Sequence, residues 1–212
     1  MPPTVSCRAR FFLSVFTTTL ISTLVALLLL AQTTSAQHGA LTAPADLERL
    51  VQMAGTIVRG HVVSAVVEPH PQFSNLQTVV VTFSVSKVLK GDAPPVFTFR
   101  QFVWDVLDVT SAAGYRKSSE LLLLLNPNSS YGLTSPVGLE QGRFRIVRDA
   151  KGNAFAENGR HNAGLFDQLE AKASAQGATL SPQARALATK PSGPASLVAI
   201  EDAISAFVRV QR

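Results

Sequence analysis

The sequence predicts a mainly β fold, with an antiparallel sheet flanked by a short N-terminal helix and an amphipathic C-terminal helix. Apolar and polar residues alternate through Thr78–Leu89, as in a strand with one buried face. Five consecutive leucines, Leu121–Leu125, form a run short enough for a strand buried on both faces. An apolar stripe at helical spacing lies within residues 196–212. These three patterns place the core between strands and helices.

Residues 1–36 are predicted to be a signal peptide. Arg8 and Arg10 precede a long uncharged apolar stretch, and Thr34-Ser35-Ala36 offers the small residues of a cleavage site. An uncleaved anchor is the alternative, because the stretch approaches the roughly 20 residues of a spanning helix. No basic stop-transfer cluster follows, which favours cleavage near Ala36. We therefore expect an exported protein, periplasmic or extracellular, that meets the membrane only transiently during export.

Cleavage there changes the composition of the chain. About 176 residues would remain, enough for one domain with a sizeable core. Without Arg8 and Arg10 the net charge falls from +5 to about +3, so the basic character weakens. The only cysteine, Cys7, lies in the predicted signal peptide. Disulfides, thiol catalysis and cysteine-ligated metals are therefore excluded for the mature protein.

The segment before the alternating strand predicts a helix followed by a first strand. Residues 43–54 carry apolar side chains at helical spacing. In Ile57–Val67 apolar residues recur at every second position, which predicts a strand. One face of this strand is expected to carry Val58, Gly60, Val62 and Val66, and the other Arg59 and His61.

After the third strand, around residues 97–99, the sequence predicts a hairpin and then a linker. The hairpin pairs residues 142–148 with 154–157 around a turn in which Gly152 and Asn153 tolerate left-handed backbone. Residues 37–170 would form the β domain. Residues 171–195, rich in Ala, Ser and Pro, are predicted to be a mobile linker. Residues 196–212, with Ser196 as N-cap, would dock back as a helix.

Three segments carry a resemblance to a known family. They are Ile57–Val63 (I-V-R-G-H-V-V), Val85–Gly91 (V-S-K-V-L-K-G) and Glu120–Leu125 (E-L-L-L-L-L). Their order, over about residues 56–133, resembles netrin-like and tissue-inhibitor-of-metalloproteinase domains. It also resembles a class of uncharacterised exported bacterial proteins. The resemblance implies an OB-like antiparallel β-barrel.

The inhibitors of that family use an N-terminal cysteine and disulfides that the mature chain here lacks. Protease inhibition is therefore not implied. The resemblance implies a fold, and a fold does not by itself imply a function.

The sequence contains no signature of catalysis, metal binding or cofactor binding. The four histidines show no metal-ligand spacing, and no G-x-S-x-G elbow or glycine-rich phosphate loop occurs. We expect no catalytic residue, no metal and no cofactor. The alternative is a hydrolase with a loop carboxylate site, for which Asp105 and Asp108 beside Trp104, or Glu120 and Glu140, are the candidates.

The expected function is that of a non-enzymatic binding module for an unknown protein or envelope component. The alternative is a binder of anionic polymer, either envelope polysaccharide or single-stranded nucleic acid. Its candidate surface joins Arg143 and Arg145 on one strand face to Trp104 and Tyr115 in loops. Nucleic acid is the less favoured partner, because single strands need several stacking aromatics along a basic groove. The sequence does not specify the ligand or the oligomeric state.

Overall fold

The computed structural model describes residues 42–103 and 106–211, which belong to one unit, Gly39–Arg212. The predicted signal peptide lies outside the described residues, as do Trp104 and Asp105. The described part is mainly antiparallel sheet with several helices, which confirms the mainly β class.

Seven strands of the described part form one sheet: β1 Thr56–Pro69, β2 Gln77–Lys90, β3 Val96–Phe102, β4 Glu120–Leu125, β5 Arg143–Arg148, β6 Ala154–Asn158 and β7 Ala195–Ser196. The α-helices are α1 Leu47–Met53, α2 Val106–Ser111, α3 Leu169–Ala175, α4 Pro182–Arg185 and α5 Leu197–Val210. Single 3-10 turns cover Ala112–Gly114, Leu139–Gln141 and Ala186–Thr189. The predicted hairpin is confirmed as β5 and β6, and Gly152 in its turn has a φ of 84°.

The strand order is β3-β2-β1-β4-β5-β6-β7, and all neighbours are antiparallel. Strand β1 pairs with β2 along its length and with β4 over Thr56–His61. Three register shifts interrupt the β1–β2 pairing. At one of them β2 approaches so closely that a Cβ on Gly60 would lie 1.9 Å from the Ser84 carbonyl oxygen. No pair among the described strands joins β3 to β7, so the sheet they form has two ends.

The alternation predicted for β2 is confirmed in its central part. Val79, Val81 and Phe83 are fully buried, and Ser84 is exposed. The face assigned to Val66 in β1 is wrong, because its side chain is 53% exposed. The register shift between Val62 and Ser64 exchanges the two faces beyond that point, since an extra residue reverses the alternation.

Two hydrophobic clusters lie on opposite faces of the sheet. The helix-side cluster packs α1, α3 and α5 against β4, β5 and β6. The strand-side cluster is formed by β1, β2, β3 and β4, together with Ala113 and Tyr115. Strand β4 serves both, because Leu122 and Leu124 belong to the first cluster and its other three leucines to the second. The prediction of a strand buried on both faces is confirmed.

Both predicted helices are present. Asp46 caps α1 by accepting a hydrogen bond from the Arg49 amide at 3.0 Å. Ser196 caps α5 by accepting one from the Ala199 amide, at 3.4 Å. Helix α5 lies within the helix-side cluster, with Ile200, Ile204 and Phe207 fully buried.

The segment 171–195 differs from the linker that its composition predicts. It holds the end of α3, all of α4, a 3-10 turn and the start of β7. Its apolar side chains join the helix-side cluster: Ala173, Leu180, Ala184, Leu187 and Ala195. Alanine is the best helix former, and Ser181 with Pro182 gives α4 an N-cap and a first-turn proline. The prediction of a mobile linker, made from composition alone, is therefore wrong for this helical segment.

Candidate functional site

Strands β5 and β6 are covered on only one face. Phe144 and Ile146 of β5 point into the helix-side cluster. The alternate residues Arg143, Arg145 and Val147 line a cleft on the opposite side of the sheet. Arg143 and Arg145 are paired in register with Leu123 and Leu121 of β4, which belong to the strand-side cluster. The charged surface thus begins where that cluster ends.

The cleft has a volume of about 420 Å³, within the usual range for small-ligand sites. We call it the β5–β6 cleft. It is lined by the two strands, by the segment that precedes β4 and by the turn that follows β6: Gly114, Arg116, Ser119, Leu121, Glu140, Arg143, Arg145, Val147, Glu157, Asn158, Gly159 and His161. It therefore unites segments that are distant in the sequence.

The predicted site residue Arg143 lies in the cleft but is held by the protein itself. Its guanidinium donates to the Ala113 carbonyl oxygen and to the Glu140 carboxylate. It also lies over the Tyr115 ring, 4.9 Å from the ring centroid, in a cation–π contact. Only 14% of its side chain is exposed. Arg143 therefore joins the segment before β4 to strand β5. It is less available to a ligand than an arginine without such contacts.

The position of Tyr115 differs from the loop surface that the sequence predicts. Its side chain is 3% exposed and packs edge-to-face against Phe99, with ring centroids 5.7 Å apart. Its hydroxyl donates to Gln101 Oε1 at 2.8 Å, and burial raises the pKa of Tyr115. The ring cannot stack on a ligand and instead supports Arg143 from below. The fourth predicted site residue, Trp104, lies outside the described residues.

Arg145 and Arg116 have exposed side chains in the β5–β6 cleft. Neither forms an ion pair with a carboxylate of the residues that the structure describes. The cross-strand neighbour of Arg145 is Glu157, whose Oε1 lies 3.1 Å from His161 Nδ1. Sequence reasoning missed Arg116, because only the tertiary fold brings it beside β5.

The turn after β6 fixes one side of the cleft. Asn158 and Asn162 are buried, and each side-chain oxygen accepts the other residue's backbone N–H, at 2.9 and 3.0 Å. This reciprocal pair holds His161 and Asn162 at a φ of 55°, a left-handed conformation that is uncommon without glycine. His161 is thereby presented on a preformed turn.

The carboxylates suggested for a hydrolase that the structure describes lie on three different elements, β4, the 3-10 turn before β5 and α2. Glu120 pairs with Arg148 at 2.9 Å, and Glu140 pairs with Arg143. Asp108 lies in α2, and Asp105 lies outside the described residues.

The described histidines belong to no candidate metal site. Among the described residues, no three His, Cys, Asp or Glu side chains are grouped so that they could hold a metal ion. The ring of the buried His70 is held at both nitrogens: Nδ1 accepts the Gln72 N–H, and Nε2 lies 3.0 Å from the Tyr131 carbonyl oxygen.

No helix in the described ranges is long and apolar enough to cross a membrane.

Comparison of the chain with protein-family models, with curated proteins and with solved structures gives no match. The resemblance to netrin-like domains therefore stays a prediction from the sequence.

Proposed function

We propose that the protein is an exported, non-enzymatic binding module whose ligand occupies the β5–β6 cleft. The observation that carries the proposal is Arg145, which is exposed on the uncovered face of β5 and forms no ion pair with the described residues. Folding gains little from such a side chain. Polar groups placed on a rigid strand beside a preformed turn are instead suited to orienting a ligand.

An OB-like partial barrel is the fold that we propose for this scaffold. Strand β1 is shared between β2 and β4, and its three register shifts bend it. Such bending suits a small, partly open barrel of five strands, as in OB folds. The helix-side cluster would then brace the strands that carry the cleft.

Export is proposed from residues 1–36. The protein is expressed from its full sequence, with a C-terminal tag, in a host that exports proteins. Intact-mass analysis of the recovered protein should show a chain that begins at Gln37. A chain that retains Met1 and stays in the membrane would contradict this part of the proposal.

A plugged cleft tests the binding function. Val147 lines the cleft and is half exposed, so Val147→Trp fills space there without changing charge. Val198 on α5 is equally exposed but does not line the cleft, so Val198→Trp is the matched control. The exported wild type and both variants are incubated with envelope extract, and retained species are identified by mass spectrometry.

We expect at least one species that the wild type and Val198→Trp retain and Val147→Trp loses. Retention of the same species by all three proteins would show that the cleft is not the binding site. Circular dichroism of each variant confirms that the substitution leaves the fold intact.

A further inference from the structure

The β5–β6 cleft holds two kinds of arginine. The Arg143 guanidinium is committed to Ala113, Glu140 and Tyr115. Arg116 and Arg145 are exposed and have no ion pair with the residues that the structure describes. Guanidinium groups match planar oxyanions with paired N–H donors, and carboxylates fit this geometry well. The two free arginines therefore favour a ligand that carries negative charge.

The cleft also contains hydrogen-bond acceptors, which restrict the class of ligand further. Glu140 and Glu157 both line it beside the arginines. Carboxylates accept hydrogen bonds from hydroxyl groups and repel a ligand with closely spaced negative charges. Ser119 adds a hydroxyl that can both donate and accept. This mixture suits a ligand that alternates hydroxyl groups with single acidic groups.

Aromatic residues are missing from the part of the cleft lining that the structure describes. The predicted site residue Tyr115 lies buried beneath Arg143. Binding of single-stranded nucleic acid relies on bases that stack on exposed aromatic rings, together with an unbroken basic groove. The two carboxylates interrupt such a groove. These features favour a saccharide over a nucleic acid.

We infer that the β5–β6 cleft binds an acidic saccharide, with Arg116 and Arg145 receiving a carboxylate of the sugar. This inference rests on the proposed binding function and names its ligand class. A cleft of about 420 Å³ accommodates a short stretch of such a chain rather than a long one. Glu157 and Ser119 then meet the sugar hydroxyls.

The test uses the protein expressed from its full sequence and three probes in calorimetric titrations. Oligogalacturonate supplies a hydroxyl-rich chain with one carboxylate per sugar, and its methyl ester removes the charge without changing the sugar. A thymidine oligonucleotide supplies a single-stranded nucleic acid. The variant Arg116→Gln/Arg145→Gln removes both free arginines. The matched control, Lys151→Gln/Arg209→Gln, removes two exposed charges that do not line the cleft.

We expect oligogalacturonate to bind the wild type, and the methyl ester to bind at least tenfold more weakly. The cleft variant should lose at least tenfold in affinity for oligogalacturonate, whereas the control variant should lose less than twofold. Rising salt should weaken the interaction, because exposed charges are screened.

Three results would overturn the inference: no binding of oligogalacturonate, equal binding of the ester, or equal affinity of the two variants. Tighter binding of the oligonucleotide, with the same dependence on the arginines, would assign the cleft to nucleic acid instead. If the inference fails while Val147→Trp still loses a species from envelope extract, the binding function stands and only the ligand class is wrong.

Discussion

Strands β4 and β5 are neighbours in one sheet, yet β4 is covered on both faces and β5 on one. In β4 the side chains of Leu121–Leu125 alternate between the helix-side cluster and the strand-side cluster. In β5 only Phe144 and Ile146 are buried, and Arg143, Arg145 and Val147 line the cleft. The strand-side cluster reaches β4 and stops there. A binding site can therefore form at the margin of a core, without interrupting it.

The largest effects on stability are expected from two core truncations, one on each side of the sheet. Phe83 and Phe144 are fully buried in the strand-side and helix-side clusters. Phe83→Ala and Phe144→Ala should each lower the free energy of unfolding by about 3–5 kcal/mol, because each leaves a cavity. Denaturant titrations measure both values.

The adjacent positions serve as controls for those truncations. Ser84 and Arg145 are exposed, so Ser84→Ala and Arg145→Ala should each change the free energy of unfolding by less than about 0.5 kcal/mol. If an exposed position were the costly one in either pair, the assignment of faces in that strand would be inverted.

A smaller effect is expected at Glu201, the charged residue that α5 turns toward the sheet. Its side chain is 5% exposed and lies 3.0 Å from Arg59 Nη1 and 2.7 Å from Lys87 Nζ. The bond from Lys87 has hydrogen-bond geometry, whereas the contact with Arg59 is between charges alone. Glu201→Ala should destabilise the protein by about 1–3 kcal/mol. Arg59 and Lys87 are partly exposed and regain water, which keeps the loss below that of a fully buried pair.

The matched control for Glu201 is Glu170→Ala, which removes an exposed carboxylate from α3. Thermal or denaturant unfolding should place this variant within about 0.5 kcal/mol of the wild type. Equal stability of the two variants would show that the buried carboxylate does not help to fasten α5 to the sheet.

The smallest effect concerns the turn between β5 and β6. A hydrogen bond from the Asn153 side chain, aided by backbone N–H groups of the turn, lowers the pKa of Asp149 from its ordinary value of 3.8. Because the folded pKa is the lower one, this stabilisation is complete above pH 3.8 and is lost as the pH falls through the folded value.

An NMR titration of the Asp149 carboxyl carbon measures that pKa directly. Asn153→Ala should raise it toward the ordinary value, because the largest contribution is removed. Lys151→Ala keeps its backbone N–H and should leave the pKa of Asp149 close to that of the wild type. An unchanged pKa in Asn153→Ala would mean that the turn does not hold the carboxylate as described.

Local patterns were sufficient for the elements whose burial follows their own periodicity. The alternation of Val79, Val81 and Phe83, and the leucine run of β4, predicted the buried faces correctly. Val66 was misplaced, because a register shift depends on how β2 meets β1 and leaves no mark in the alternation. Residues 171–195 were misread because alanine-rich sequence suits both linkers and short helices.

The candidate site was predicted only in its strand residues. Arg143 and Arg145 could be assigned to one face from alternation alone. Contacts between distant segments hold Arg143 against Glu140 and Tyr115. They also bring Arg116 into the same cleft as Arg145, without an ion pair to any described residue. Spacing in the sequence carries no signal for such contacts.

Cysteine labelling tests most directly whether the covering of the sheet ends between β4 and β5. Cys7 is the only cysteine, so a Cys7→Ser background allows one reporter at a time. Single cysteines at Leu122, Leu123, Phe144 and Arg145 are reacted with a maleimide under native conditions. We predict rapid labelling at position 145 alone, with the other three protected until the protein unfolds. Rapid labelling at 123, or protection at 145, would contradict a cleft that opens at β5.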